Sequence, residues 1–129
     1  MRETFGTAVN CMDGRTQLPV IEWMKKTYGV DYVDTITEPG ADKAITEGPE
    51  WQVASVKARV LISVDAHGSN IIAIVGHHGC AGNPVSKSEH IDMTKKAIEV
   101  VASWNLGTKI IGLWVDEDWQ VEVVGTNED

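Results

Sequence analysis

Two stretches of this chain are apolar almost without interruption. Asn70–Val75 reads NIIAIV and Lys109–Val115 reads KIIGLWV. A strand with one wet face alternates apolar and polar residues, whereas a continuous apolar run suits a strand covered on both faces. Strands of that kind belong to parallel sheets, whose crossover helices pack above and below. Both runs are far shorter than the ~20 residues of a membrane-spanning helix.

The remaining chain supplies the other elements of such a sheet. Thr4–Asn10 (TFGTAVN) is a short apolar strand that runs into Cys11. Thr16–Tyr28 carries Leu18, Ile21, Trp23 and Met24 at roughly helical spacing, and Gly29 stops it. Tyr32–Thr37 (YVDTIT) is β-branched and alternating, and Glu38-Pro39-Gly40 breaks it. Pro49–Asp65 reads as a helix with Pro49 in its first turn and apolar positions at Trp51, Ala54, Val56, Ala58, Val60 and Leu61. Glu89–Trp104 is a second amphipathic helix, with Ile91, Ala97, Ile98, Val101 and Ala102 inward, and Trp119–Val124 alternates as an edge strand. The tryptophans read as core or interface anchors. The pattern predicts an α/β fold: a three-layer αβα domain over residues 1–129, with a mostly parallel central sheet of four to five strands.

Charge narrows the partners. The 129 residues carry a formal net charge of -8, with acidic residues gathered near the C-terminus and no cluster of Lys or Arg. Nucleic acid and anionic membranes are therefore excluded as expected partners. Met1-Arg2-Glu3-Thr4-Phe5 lacks the layout of a signal peptide, so a cytoplasmic protein is expected. Two cysteines are too few for a disulfide scaffold and leave metal-binding, catalytic or buried roles.

Both cysteines fall in loops that directly follow strands. Cys11-Met12-Asp13-Gly14-Arg15 follows the first strand, and Gly76-His77-His78-Gly79-Cys80-Ala81-Gly82 follows the NIIAIV strand. Sites of open α/β sheets form at these carboxyl ends, and the two loops meet if the first and third strands are neighbours. Zinc prefers thiolate and imidazole in tetrahedral geometry. His77 and Cys80 offer one of each on a single turn, Cys11 offers a third donor, and the fourth position falls to Asp13 or to water. Three protein ligands with one open position is the catalytic arrangement. Gly76, Gly79 and Gly82 permit a tight turn. Other readings of these residues are a redox pair of Cys11 and Cys80, an anion held by the backbone amides of Gly76–Gly82, and a merely loop-stabilising Asp13–Arg15 ion pair. His78 reads as a loop residue that substitutes if His77 points away. His67 and His90 read as surface residues at helix ends.

The two motifs, in this order and strand context, resemble the β-class carbonic anhydrases, which carry Cys-x-Asp-x-Arg after the first strand and His-x-x-Cys after a later one. The resemblance runs from Thr4 to about Val124. It implies that Cys11, His77 and Cys80 hold Zn2+ and that Asp13 and Arg15 form a catalytic dyad. In that chemistry zinc lowers the pKa of bound water from 15.7 to about 7, and the hydroxide attacks carbon dioxide to give bicarbonate. Asp13 would orient the hydroxide and Arg15 would keep Asp13 ionised and off the metal; in some members the Asp instead takes the fourth metal position. The chain departs from the family at Gly14, where Ser is usual, at Ala81, where Gly is common, and at Glu38-Pro39-Gly40-Ala41, where an Arg-Asn-Ala-Gly-like segment is usual. The first strand starts at once, leaving no room for the family's N-terminal helical arm. A homodimer is still expected, because the family site lies at a subunit interface. The altered Glu38–Ala41 segment motivates a second expectation: a zinc-binding homologue that hydrolyses a related small molecule such as carbonyl sulfide, or a non-catalytic binding protein.

Overall fold

The computed structural model describes residues 3–128. In chain order the elements are β1 (Phe5–Cys11), α1 (Gln17–Tyr28), β2 (Tyr32–Glu38), α2 (Ala41–Glu47), α3 (Glu50–Leu61) with a π-helical turn at Ile62–Ala66, β3 (Ile71–His77), α4 (Lys87–Ala102), β4 (Lys109–Val115) and β5 (Val121–Thr126). They form one five-stranded sheet in the order β2-β1-β3-β4-β5. The first four strands are parallel, and β5 returns antiparallel along β4. This is the expected α/β architecture with β5 at the edge.

The period-two geometry of β3 explains its unbroken apolar run. Ile72 and Ile74 pack with Val9, Val56, Val60, Ile98 and Val101 on the face covered by α2, α3 and α4. Ile71, Ala73 and Val75 pack with Ala8, Val20, Met24 and Leu113 on the face covered by α1. Every residue of β3 is buried, so neither face could tolerate a polar alternation. Helix α1 ends where Gly29 adopts φ 66° and its amide bonds the Lys25 carbonyl, a backbone that glycine takes at little cost.

Three features differ from the sequence expectations. Helix α2 follows the Glu38-Pro39-Gly40 break, in a stretch where the sequence pattern predicts no element. It starts at Gly40 (φ 74°) without a side-chain cap, and the burial of Ala41, Asp42, Ala44 and Ile45 holds it in place. His90 is a correction: it is 1% exposed, because its ring meets the buried Asp42 carboxylate at 2.6 Å. Pro49 precedes α3 in extended conformation rather than sitting in its first turn, and the helix changes to a π turn at Ile62.

That π turn carries Ser63 inward at the amino end of the sheet. Thr7 Oγ1 lies 2.6 Å from Ser63 Oγ and 2.7 Å from Ser69 Oγ. Ser63 donates to Asp34 Oδ2 at 2.7 Å, and His67 Nδ1 approaches the same oxygen at 2.7 Å. Among the described residues no helix is long and apolar enough to cross a membrane.

Candidate metal centre

The register of β1 against β3 (Thr7↔Ile72, Ala8↔Ala73, Val9↔Ile74) aligns their carboxyl ends. Cys11 closes β1 and His77 closes β3. Cys80 returns toward them through a turn in which Gly79 takes φ 69°. One donor atom from each of Cys11, His77 and Cys80 lies within 4.8 Å of the other two, and all three residues are buried. The two sulfurs are 3.8 Å apart. A tetrahedral ion with metal–sulfur bonds of about 2.3 Å requires its sulfurs to be roughly 3.8 Å apart, so the pair is already at metal-binding separation.

The imidazole is oriented for the same purpose. His77 Nδ1 is 2.8 Å from the His78 carbonyl oxygen. A carbonyl can only accept, so Nδ1 carries the proton and Nε2 presents a lone pair. His77 Nε2 is buried and has no hydrogen-bond partner. A buried polar atom left unpaired is costly, and an ion between the sulfurs and this nitrogen removes the cost. The donor set of two sulfurs and one imidazole suits zinc.

Backbone dipoles favour sulfur as the anion here. Amides of Gly40 and Asp13 point at Cys11, and amides of Gly82 and Asn83 point at Cys80. The Cys11 thiol is pushed well below its ordinary range by the Cys80 hydrogen bond, against the effect of burial and with help from His77. Cys80 is pushed up by the same hydrogen bond and by burial. Burial pushes His77 down, but the neighbouring Cys11 sulfur and the His78 carbonyl outweigh it and leave the ring raised.

Asp13 and Arg15 stand beside this cluster, and Asp13 is not among the converging donors. Arg15 chelates the Asp13 carboxylate, with Nη2 2.7 Å from Oδ2 and Nε 3.1 Å from Oδ1, and the Arg15 amide adds a bond of 2.9 Å. These bonds hold the Asp13 carboxyl at about 2, below its ordinary value. Arg15 also reaches the Gly79 carbonyl at 3.4 Å, and its guanidinium lies 4.9 Å over the Trp119 ring.

The family described as "Putative carbonic anhydrase" matches residues 1–125 of this chain. The chain belongs to that carbonic anhydrase family. A search of the curated proteins returned no match to the sequence. Solved structures share the fold at low identity. The β-carbonic anhydrase isoform I of Trichomonas vaginalis is 19% identical with a TM-score of 0.64, covering 95% of this chain and 82% of its own. The carbonic anhydrase of Streptococcus mutans is 16% identical with a TM-score of 0.67, covering 96% and 83%. One of the tetrameric β-carbonic anhydrases of Sordaria macrospora is 12% identical with a TM-score of 0.61, covering 99% and 84%.

This carbonic anhydrase homologue braces the Gly76–Gly82 loop with residues outside the two motifs. Gly40 and Gly82 face each other so closely that a Cβ on Gly82 would lie 2.4 Å from the Pro39 carbonyl carbon. Glu38, which ends β2, points its carboxylate at Gln52 (3.0 Å) and Arg59 (3.2 Å), while its carbonyl accepts from the Met12 amide. Behind the loop, Asp42 accepts from Asn83 Nδ2 at 3.1 Å. His78 is exposed, and what it gives to His77 is its carbonyl. His67 is remote, at the amino end of the sheet. Sequence reasoning missed Gly40, Asp42, Asn83 and Trp119. Only Gly40 carried a signal, the Pro39-Gly40 turn beside a strand end.

Proposed function

We propose that Cys11, His77 and Cys80 hold one zinc ion and that the protein reversibly hydrates carbon dioxide to bicarbonate. The observation that carries this reading is the unpartnered His77 Nε2 facing two sulfurs 3.8 Å apart, with Asp13 occupied by Arg15. Three donors from the protein leave one position for the reaction. Zinc, when bound, acidifies water and so makes a nucleophile available at neutral pH.

The chain's own residues do the rest. Cys11 and Cys80 supply two negative charges that Gly40, Asp13, Gly82 and Asn83 amides stabilise. His77 is fixed in one tautomer by the His78 carbonyl. Asp13, ionised down to about pH 2, accepts a hydrogen bond from the attacking water and aims its lone pair at the carbon. It is too weak a base to keep the proton released when water adds to carbon dioxide, so that proton passes to solvent buffer. Arg15 holds the carboxylate in place. We read the protein as a cytoplasmic homodimer of one-domain chains. Exposed Met12 and Leu18, beside the first loop, offer apolar surface to a second copy.

Stopped-flow hydration of carbon dioxide by zinc-loaded protein tests the reading. A rate above buffer that falls by about 10²-fold or more in Asp13→Ala supports it. Stoichiometric zinc with no rate rejects it. The Glu38–Ala41 segment favours one second reading, hydrolysis of carbonyl sulfide at the same centre, which sulfide release by the same preparation would reveal.

A further inference from the structure

The hairpin between β4 and β5 lies outside both motifs, yet it reaches the site. Asp116 shapes it: Asp116 Oδ1 accepts the amides of Asp118 (2.8 Å) and Gln120 (2.9 Å), and its carbonyl accepts the Trp119 amide at 3.0 Å. The geometry forces Trp119 to φ 60°. A tight hairpin turn places glycine or asparagine at such a position, because a bulky L residue is strained there. Trp119 occupies it nonetheless, and its ring lies under the Arg15 guanidinium, 4.9 Å from the centroid. Backbone strain kept at a site calls for a reason in the site.

We propose that Trp119 is a positioning residue that acts through Arg15: its strained turn holds the indole beneath the guanidinium, so that Arg15 keeps the Asp13 carboxylate and leaves the fourth metal position to exogenous ligands. The proposal rests on the zinc-site reading above. Among the described residues Arg15 has three other holds, the Asp13 chelate, its own amide and a long bond to the Gly79 carbonyl, and its side chain is 57% exposed. Without the indole, one face of the guanidinium is open to water and the chelate turns as a unit.

The test compares wild type, Trp119→Gly and Trp119→Phe. Glycine relieves the backbone and removes the ring, while phenylalanine keeps both the strain and a stacking face. Three readouts are taken: melting temperature, hydrogen exchange of the Arg15 Nε–H by NMR in metal-free protein, and the affinity of thiocyanate for the cobalt-substituted protein from its visible spectrum. Trp119→Gly is expected to melt below wild type, because the indole also packs against the apolar cluster that holds Val20, Leu113 and Val115, and in the folded protein to exchange Arg15 Nε–H roughly 2- to 5-fold faster and to bind thiocyanate weaker by a similar factor, as loss of an exposed cation–π contact predicts. Trp119→Phe is expected to restore most of both. Unchanged exchange and anion affinity in Trp119→Gly overturn the proposal. So does a Trp119→Phe variant that exchanges Arg15 Nε–H as fast as Trp119→Gly. If cobalt does not bind wild type, the zinc-site reading fails, and the exchange rates still decide whether Trp119 holds Arg15.

Discussion

Asp42 Oδ2 and His90 Nδ1 stand 2.6 Å apart, and each side chain is 1% exposed. The pair lies against Gly76, where a Cβ would sit 3.1 Å from the carboxylate and 3.3 Å from the ring, one residue before the proposed metal ligand His77. Removing one member leaves the other buried without its partner. His90→Leu is therefore expected to cost about 3–5 kcal/mol, read as a lower urea midpoint. The double variant Asp42→Leu/His90→Leu is expected to cost less than the two single changes together.

Gly82→Ala tests how closely the loops are locked. Its new methyl would lie 2.4 Å from the Pro39 carbonyl carbon, which is backbone and cannot swing aside. The chain must move at a residue whose amide points to Cys80. Zinc affinity is expected to fall about 10- to 100-fold in a protein whose far-ultraviolet circular dichroism is unchanged, measured by competition with a chromophoric chelator.

The Asp13–Arg15 pair predicts an acid-range signature. The folded carboxyl sits at about 2, below the ordinary ~3.9 of an unfolded Asp. Its stabilising contribution is therefore complete above the ordinary value and is lost as the pH falls through about 2. Arg15 is largely exposed, so the contribution to stability is small and titration is the better readout. In Arg15→Ala the Asp13 carboxyl is expected to return toward its ordinary value, followed by the pH dependence of its ¹³C signal.

Metal removal should be felt by the whole fold. An ion that binds only the folded chain adds about 2.7 kcal/mol at a free concentration 100 times its dissociation constant. Chelator is expected to lower the melting temperature of zinc-loaded wild type. Cys80→Ser, with one sulfur fewer, is expected to melt at a temperature that zinc and chelator change much less.

The parts of this fold that were legible in the sequence are those written in local pattern. β3 and β4 are apolar at nearly every position because both faces are covered, and Cys11, His77 and Cys80 stand directly after strands, where sheet geometry gathers side chains. The unread parts depend on partners far along the chain. Helix α2 follows a Pro-Gly pair and has no side-chain cap; its evidence is the buried contact of Asp42 with His90, 48 positions away. The same pair explains why His90, on a charged helix, is not at the surface. Trp119 reads as the start of an edge strand, and nothing in WQVEVV reveals a left-handed backbone. Its relation to Arg15 exists only once β5 has folded back along β4.

Strand β1 has a job at each end. Thr7 and Cys11 lie four residues apart on one face, about 13 Å along the strand. The Thr7 hydroxyl is pegged between Ser63 and Ser69, so the strand works as a ruler with its zero mark at the far end of the sheet. A slip of one residue would turn Thr7 toward the side of Val20 and Met24 and carry the sulfur of Cys11 to the wrong face. Substitutions at this peg can therefore misplace a sulfur they never touch, and the Cys11–His77–Cys80 cluster can be lost by an error of measurement made a strand's length away.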